Sequence, residues 1–166
     1  MEKGDIVRKG IVLIKPFAFP RRDEIVEDIE ESEFDLSVDQ RIAQRWTKEK
    51  IEGTYRPMKY NKKWPMVNKL ADIYFDFFGK EPMVEALMVS SDKNTIKKLK
   101  KLVGPLDAAY AKRPEDSKTL RKKYGCPIRI EEIVDEKKCY FFPNGIHVSS
   151  KEEFPRQRNL YLPRTR

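Results

Sequence analysis

The run GIVLIKP, Gly10 to Pro16, holds four consecutive apolar residues, Ile11 to Ile14, between a glycine and a Lys-Pro stop. A run this short, apolar at every position and closed by a residue that cannot donate to a ladder, suits a central strand. Lys15 then sits at the strand's exit. A central strand needs paired neighbours and covering helices, and the rest of the chain carries patterns for both.

From Asp23 to Glu31, Ile25, Val26 and Ile29 recur at helical spacing among acids, which predicts an amphipathic helix with one face on a sheet. FDLSVD alternates with period two and predicts a second, half-buried strand with Phe34, Leu36 and Val38 on one face. Thr47 suits the N-cap of a short helix ending near Gly53, and TYRPMKYNKKWP follows as a loop. From Pro65 onward, Met66, Val67, Leu70, Ile73, Tyr74 and Phe77 form an apolar helical stripe that Gly79 ends. PMVEALMVS, residues 82–90, reads as a strand. KNTIKKLKKLVG reads as a helix with Ile96, Leu99, Leu102 and Val103 on its apolar face and lysines opposite. A long irregular stretch after Gly104 includes a helical turn around Leu120, and PIRIEEIV and KKCYFF read as two strands turning at DEKK. This order predicts an α/β (α+β) sandwich of the ferredoxin-like split βαβ kind, with a mainly antiparallel sheet covered by helices, as one domain over residues 1–166.

Charge and cysteine count narrow the function classes. Apolar runs stop far short of the roughly 20 residues a membrane span needs, and MEKGDIVRKG has no apolar core of a signal peptide, so a cytoplasmic location is expected. Cys126 and Cys139 with a single histidine cannot complete a four-ligand zinc site, and reduced thiols are expected rather than a disulfide. The net charge is +8, of which +7 lies between Ser91 and Tyr124, with eleven Lys or Arg against four Asp or Glu. That segment points to an anionic partner: nucleic acid, a membrane surface or a phosphate-rich ligand.

His147, in FFPNGIHVSS, is the only histidine. A neutral imidazole is a usable nucleophile at neutral pH. Asn144 and Ser149 flank it, and the Pro-Asn-Gly turn after the strand CYFF aims it from a strand exit into a cleft. Lys15 and Arg121 are the cations that a phosphate site would add. Each has a plainer reading: Lys15 as a solvated strand end, Asn144 as a turn residue, Ser149 as the cap of a helix beginning near Lys151.

With VLIKP at Val12–Pro16, FFGKEPMVEALMV at Phe77–Val89, RPEDSKTLR at Arg113–Arg121 and NGIHVSS at Asn144–Ser150, in that order, the chain resembles the nucleoside diphosphate kinases from about Gly10 to Leu162. The resemblance implies ping-pong transfer of the γ-phosphate of a nucleoside triphosphate to a diphosphate through a phosphohistidine at His147. It implies Mg2+ bridging the phosphates, ATP and other nucleotides as partners, and a symmetric homo-oligomer built on a dimer. Lys15, Arg121 and Asn144 fall on positions that contact phosphates or sugar in that family, and Thr119 falls on the family's threonine. Ser149 matches the signature serine. The phosphate-reaching tyrosine corresponds to Tyr55 or Tyr60, with Tyr55 preferred. The helix-borne arginine falls near Lys100, and the base-stacking aromatic near Met66, with Trp64 close by.

The chain also departs from the pattern. Phe17 and Ala18 follow Lys15 and Pro16 where the family has Asp-Gly, and a Pro-Gly is missing between Lys118 and Thr119. Ser150 stands where an acid is usual. The glutamate that orients the catalytic histidine has no clear counterpart, although Glu152 and Glu153 are near. Segments around 105–114 and 126–138 exceed the usual core. These departures leave a second reading, a nucleotide-binding regulatory module without transfer, and a third, less favoured, a nucleic-acid-binding face on the basic segment.

Overall fold

The computed structural model describes residues 8–55, 69–109, 112–125, 129–134, 136–141 and 144–164. Met66, Trp64, Tyr60 and Cys126 lie outside them. The helical elements are α1 (Arg22–Glu30), α2 (Lys48–Tyr55), α3 (Leu70–Phe78), α4 (Thr95–Val103), α5 (Leu120–Tyr124) and α6 (Phe154–Tyr161), with 3-10 turns at Phe19–Arg21 and Pro114–Asp116. The strands are β1 (Lys9–Ile14), β2 (Ser37–Arg45), β3 (Met83–Ser90), β4 (Ile130–Val134), β5 (Lys137–Phe141) and β6 (Ile146–Val148).

A four-stranded sheet runs in the order β2-β3-β1-β6, and every neighbouring pair is antiparallel. β1 and β2 are therefore parallel to each other with β3 between them, and β3 and β6 are parallel with β1 between them. Two interlocked split βαβ units result, which is the ferredoxin-like fold. GIVLIKP occupies the inner strand β1, and it is apolar throughout because both its faces are covered. Ile11 and Leu13 point into a layer with Trp46, Ile51, Tyr55, Leu70, Tyr74, Phe154 and Tyr161 from the α2, α3 and α6 side. Val12 and Ile14 point the other way, to Ile25 and Ile29 of α1, Leu99 and Val103 of α4, and Leu120 and Tyr124 around α5. Each such fully buried Ile or Leu contributes roughly 1.5–3 kcal/mol. Gly10 lets α4 settle close on β1, since a Cβ there would meet Leu99 Cδ1 at 2.8 Å.

Two strand expectations are corrected. The second strand runs over Ser37–Arg45 rather than Phe34–Asp39, with an irregularity between Val38 and Gln40. Phe34, Leu36 and Val38 do share one apolar layer. The polar stretch QRIAQR was invisible as a strand because it lies at the sheet's edge, where most of its side chains face out. The second correction bears on the site. CYFF belongs to a separate β4–β5 hairpin, and the last strand of the main sheet is the three-residue β6, which contains His147. His147 is therefore at the centre of a strand and not at the exit of the preceding one. β4 and β5 pair with each other, and β6 pairs with β1 along the edge that β3 leaves open.

Candidate active site

In the β1–β6 register Leu13 lies opposite His147. Because strand side chains alternate, Ile146 and Val148 enter the α1–α4 layer, and His147 is presented to the opposite face, where α2 and α6 meet. Ser149 fixes that register. Its N–H donates to the Ile11 carbonyl at 3.0 Å, and its Oγ accepts from Ile11 N–H at 3.2 Å. Ser149 is fully buried and caps nothing. The cap role belongs to Ser150: its Oγ accepts from Glu153 N–H at 3.2 Å, and Glu153 Oε2 accepts from Ser150 N–H at 2.9 Å. This reciprocal pair closes the turn that leads into α6, and its signature, Ser-x-x-Glu before an apolar residue, is legible in SSKEEF.

Lys15, one residue past β1, is 3% exposed, and its N–H donates to the Gly145 carbonyl at 2.8 Å. Its Nζ lies 5.3 Å from the centroid of the Tyr55 ring, at the end of α2. Tyr55 in turn meets the His147 ring edgewise, with centroids 6.3 Å apart. Arg121, on the first turn of α5, is 9% exposed. Its Nε donates to the Ile146 carbonyl at 3.0 Å and one terminal nitrogen to the Gly104 carbonyl at 2.7 Å, which tethers the guanidinium between β6 and the end of α4. Gly145 permits this packing, since a Cβ there would meet the Tyr124 carbonyl oxygen at 2.8 Å.

Burial and like charge set the electrostatics. Desolvation, with Arg121 nearby, holds the Lys15 ammonium down to about 7. Desolvation also holds Arg121 down to about 10. His147 is pushed down to about 3 by burial first, then by Lys15 and Arg121, so the ring is neutral across the physiological range. Burial raises the Tyr55 hydroxyl well above its ordinary range, and it stays protonated. Among the described residues neither Lys15 nor Arg121 has a carboxylate within ion-pair distance. Asn144 adds a buried Oδ1 without a hydrogen-bond partner among the described residues.

The structure thus brings Lys15, Tyr55, Arg121 and His147 together, with Asn144 next to the Gly145 carbonyl that anchors Lys15. Thr119 is at the N-cap of α5, where its Oγ1 accepts from Lys122 N–H at 3.4 Å and donates to the Asp116 carbonyl at 2.8 Å. Lys100 lies on α4 beside a surface pocket of about 510 Å3 lined by Ile96, Lys97, Lys101, Lys151 and Glu152. Its charge reaches His147 and lowers the ring's proton affinity slightly. Two site neighbours escaped the sequence reading in part: Gln157, whose amide nitrogen is 3.0 Å from His147 Nε2, and Glu153, whose Oε2 is 3.7 Å from the same atom. Their i, i+4 spacing on one helix face was the available signal.

The donor set is cationic and suits phosphates. Fold and site together define an antiparallel α/β sandwich with a buried, neutral histidine beside two buried cations. A family model for nucleoside diphosphate kinase matches residues 8–165. No curated protein matches the chain by sequence. Among solved structures, the nucleoside diphosphate kinase of Aquifex aeolicus is 20% identical with a TM-score of 0.66, covering 93% of this chain and 94% of that one. A halophilic nucleoside diphosphate kinase from Halobacterium salinarum, in complex with CDP, is 21% identical with a TM-score of 0.63, covering 94% and 88%. A transition-state mimic of the Borrelia burgdorferi enzyme with bound vanadate and ADP is 13% identical with a TM-score of 0.63, covering 95% and 88%. These likenesses are of fold. The family match spans nearly the whole chain, and the chain belongs to the nucleoside diphosphate kinase family. Members of that family are nucleotide-binding phosphotransferases, typically oligomeric, that work with a divalent metal, usually Mg2+.

Proposed function

We infer that this chain moves the γ-phosphate of a nucleoside triphosphate to a nucleoside diphosphate by way of a phosphohistidine at His147. The observation that carries this reading is a neutral, buried imidazole beside two buried cations, Lys15 and Arg121, that have no carboxylate partner among the described residues. Buried charge of one sign is costly until an anion arrives, and a polyphosphate is that anion.

In the first half-reaction a ring nitrogen lone pair attacks the γ-phosphorus. The bond from phosphorus to the β,γ-bridging oxygen breaks, and the diphosphate leaves with the electron pair. In the second half-reaction a terminal oxygen of another diphosphate attacks the same phosphorus and the ring nitrogen leaves. Lys15 and Arg121 offset charge on the phosphate oxygens, which is the principal catalytic demand of phosphoryl transfer. Asn144, Tyr55, Thr119 and Lys100 fill the supporting phosphate and sugar positions, and the resemblance assigns the base to Met66, which is outside the described residues. Among the described residues no group of three His, Cys, Asp or Glu converges as a metal site. The resemblance places Mg2+ on the nucleotide's phosphates, where it would neutralise part of their charge beside Lys15 and Arg121. A vanadate–ADP mimic has been held by the Borrelia burgdorferi relative, which supports the same chemistry here. The reading carries with it a homo-oligomer built on a dimer and a cytoplasmic setting.

Loss of transfer gains no support, and His147 has Gln157 and Glu153 at 3.0 and 3.7 Å from Nε2 as contacts that can orient its ring. Incubation with Mg2+ and γ-labelled ATP is expected to yield an acid-labile, base-stable phosphoprotein, absent in His147→Asn. No label on the wild type would sink the kinase reading. Label that persists in His147→Asn would sink the site assignment.

A further inference from the structure

Lys100 belongs to two groups of cations at once. Its charge reaches the ring of His147, as do those of Lys15 and Arg121, and its side chain also lines the surface pocket of about 510 Å3 between α4 and the turn that leads into α6. Lys97 and Lys101 line the same pocket from α4, at the i, i+3 and i+4 spacing that puts the three lysines on one helix face. Lys151 joins them from the turn. All four are exposed, and among the described residues none has an ion pair; Lys98, the remaining lysine of the helix, turns to Asp92 instead. Glu152 is the one carboxylate among the described lining residues, and its own backbone N–H and the Ser150 hydroxyl hold it first, with Lys100 and Lys151 adding to them. Four lysines against one carboxylate leave the pocket strongly positive.

The cations continue one another along α4. Arg121 is tied to the Gly104 carbonyl just past the end of the helix, and Lys101, Lys100 and Lys97 follow back along it, with about 10 Å of helix between Gly104 and Lys97. On the proposed function, Lys15, Arg121 and Lys100 already serve the three phosphates of a nucleoside triphosphate. Beyond those phosphates come an uncharged sugar and a base, which gain nothing from further lysines. Among the described residues the pocket lining offers no aromatic ring on which a base could stack. A nucleic acid strand lacks the same platform here, and its backbone needs cations over a wider face than one concavity. A chain of phosphates without bases can use every lysine of the set.

We propose that this pocket binds inorganic polyphosphate with its terminal phosphate at His147, so that a linear phosphate chain serves the protein as a second phosphoryl donor. Lys97, Lys101 and Lys151 hold the body of the polymer, and Lys100 joins it to the buried cations. The donor activity rests on the phosphohistidine reading above; the binding does not. A ring nitrogen lone pair attacks the terminal phosphorus, and the bond from that phosphorus to its bridging oxygen breaks. The polymer, one phosphate shorter, leaves with the electron pair on its new terminal oxygen. A terminal oxygen of a nucleoside diphosphate then attacks the same phosphorus and the ring nitrogen leaves. The net reaction makes a nucleoside triphosphate from a diphosphate and polyphosphate.

The test offers the protein, with Mg2+, either γ-labelled ATP or long-chain polyphosphate labelled throughout. The wild type is expected to take an acid-labile, base-stable label from both donors, and His147→Asn from neither. A combined Lys97→Gln, Lys101→Gln and Lys151→Gln variant, which keeps Lys100, should slow labelling by polyphosphate at least about tenfold and leave labelling by ATP unchanged. Label from ATP but none from polyphosphate overturns the proposal and leaves the kinase reading standing. Equal polyphosphate rates in the wild type and the triple variant overturn it as well, since the pocket then has no part. If neither donor labels the protein, the donor activity falls with the kinase reading, and fluorescence polarisation with end-labelled polyphosphate decides the site. Binding at least about tenfold weaker in the triple variant supports a polyphosphate pocket. Equal binding overturns it, and so does a single-stranded oligonucleotide that binds more tightly than polyphosphate of the same phosphate count in the same salt.

Discussion

Lys15 shows how a single residue can oppose stability while serving a site. Its amine is held down to about 7 from an ordinary 10.5 by burial and by Arg121. The unfolded chain therefore binds this proton more tightly than the folded one, and stability rises as pH climbs from about 7 toward 10.5. Lys15→Met is expected to remove that rise and to raise the melting temperature at pH 7 by several degrees, at about 2–4 °C per kcal/mol for a chain of this size. Phosphorylation of His147 should slow by more than about tenfold in the same variant. A variant that is no more stable, measured by calorimetry, would mean that the ammonium is better solvated than its burial implies. His147 gives the companion prediction. With its pKa down at about 3 against 6.5, the folded ring stays neutral while the unfolded ring takes a proton, so stability is full above 6.5 and falls as pH drops. Between pH 6.5 and 5 the loss should be about 2 kcal/mol, and His147→Asn should lack it in denaturant titrations. On the proposed function, arrival of a polyphosphate relieves the two buried cations, whereas the unpartnered Asn144 Oδ1 is an acceptor and needs a donor such as a sugar hydroxyl.

Elements place these residues by pairing rather than by propensity. β6 has only three residues, yet His147 is fixed in it because Ser149 doubles the backbone bond to Ile11 and the Gly145 carbonyl takes the Lys15 N–H. α6 then meets the ring at an angle set by the Ser150–Glu153 pair. Ser150→Ala is expected to cost about 1 kcal/mol, the usual loss for a cap. The Glu153 carboxylate is held by the backbone N–H of residue 150, which alanine keeps, so transfer should fall no further than the loss of the cap implies, whereas Ser150→Asp, which keeps an acceptor, should retain both. A loss of transfer much larger than the loss in a denaturation series would overturn a purely structural role for Ser150. The serine in place of the usual acid is thus a cap in its own right, since a hydroxyl accepts the same backbone N–H that a carboxylate would. Arg41 is another element-level tie: on β2, it joins Asp23 of α1 to the nearly buried Glu85 of β3 at 2.6 and 2.9 Å, which helps seat α1 on the sheet.

Over the whole molecule the charge excess divides into several jobs. In the basic segment Lys98 pairs with Asp92, Arg113 with Asp107 and Asp116, and Lys123 with Asp28, while Arg121 turns inward to the site. Asp92, Asp107 and Asp116 are already counted in the +7, so what reduces the free basic face that a nucleic-acid reading needs is the Lys123–Asp28 pair and the inward turn of Arg121. β2 at one edge of the sheet and the β4–β5 hairpin, with Ile133 and Tyr140 exposed, are surfaces a second copy could cover. Sedimentation equilibrium is expected to give a multiple of 19.7 kDa, at least twice it. A single-chain mass at micromolar concentration would refute the oligomer.

Local pattern by itself determined much of this protein. Four apolar residues closed by Lys-Pro, the helical stripes with their glycine ends, and the NGIHVSS signature each depend on residues adjacent or one turn apart, where side-chain period and backbone freedom act directly. The fold class and the family followed from them, and GIVLIKP is the doubly buried inner strand its composition required. Strand partnership could not be read the same way. KKCYFF and IHV are both short enough to pair with several partners, and the choice between a hairpin and the main sheet depends on competing hydrogen bonds across the chain. β2 was displaced for a related reason, since an edge strand has no apolar alternation to betray it. Tertiary structure alone decided that His147 faces the α2–α6 side, that Lys15 and Arg121 are buried beside it, and that Gln157, ten residues later, reaches Nε2. Those are contacts between distant elements, and they form because the two apolar layers must close around β1 before any polar group can be placed between them.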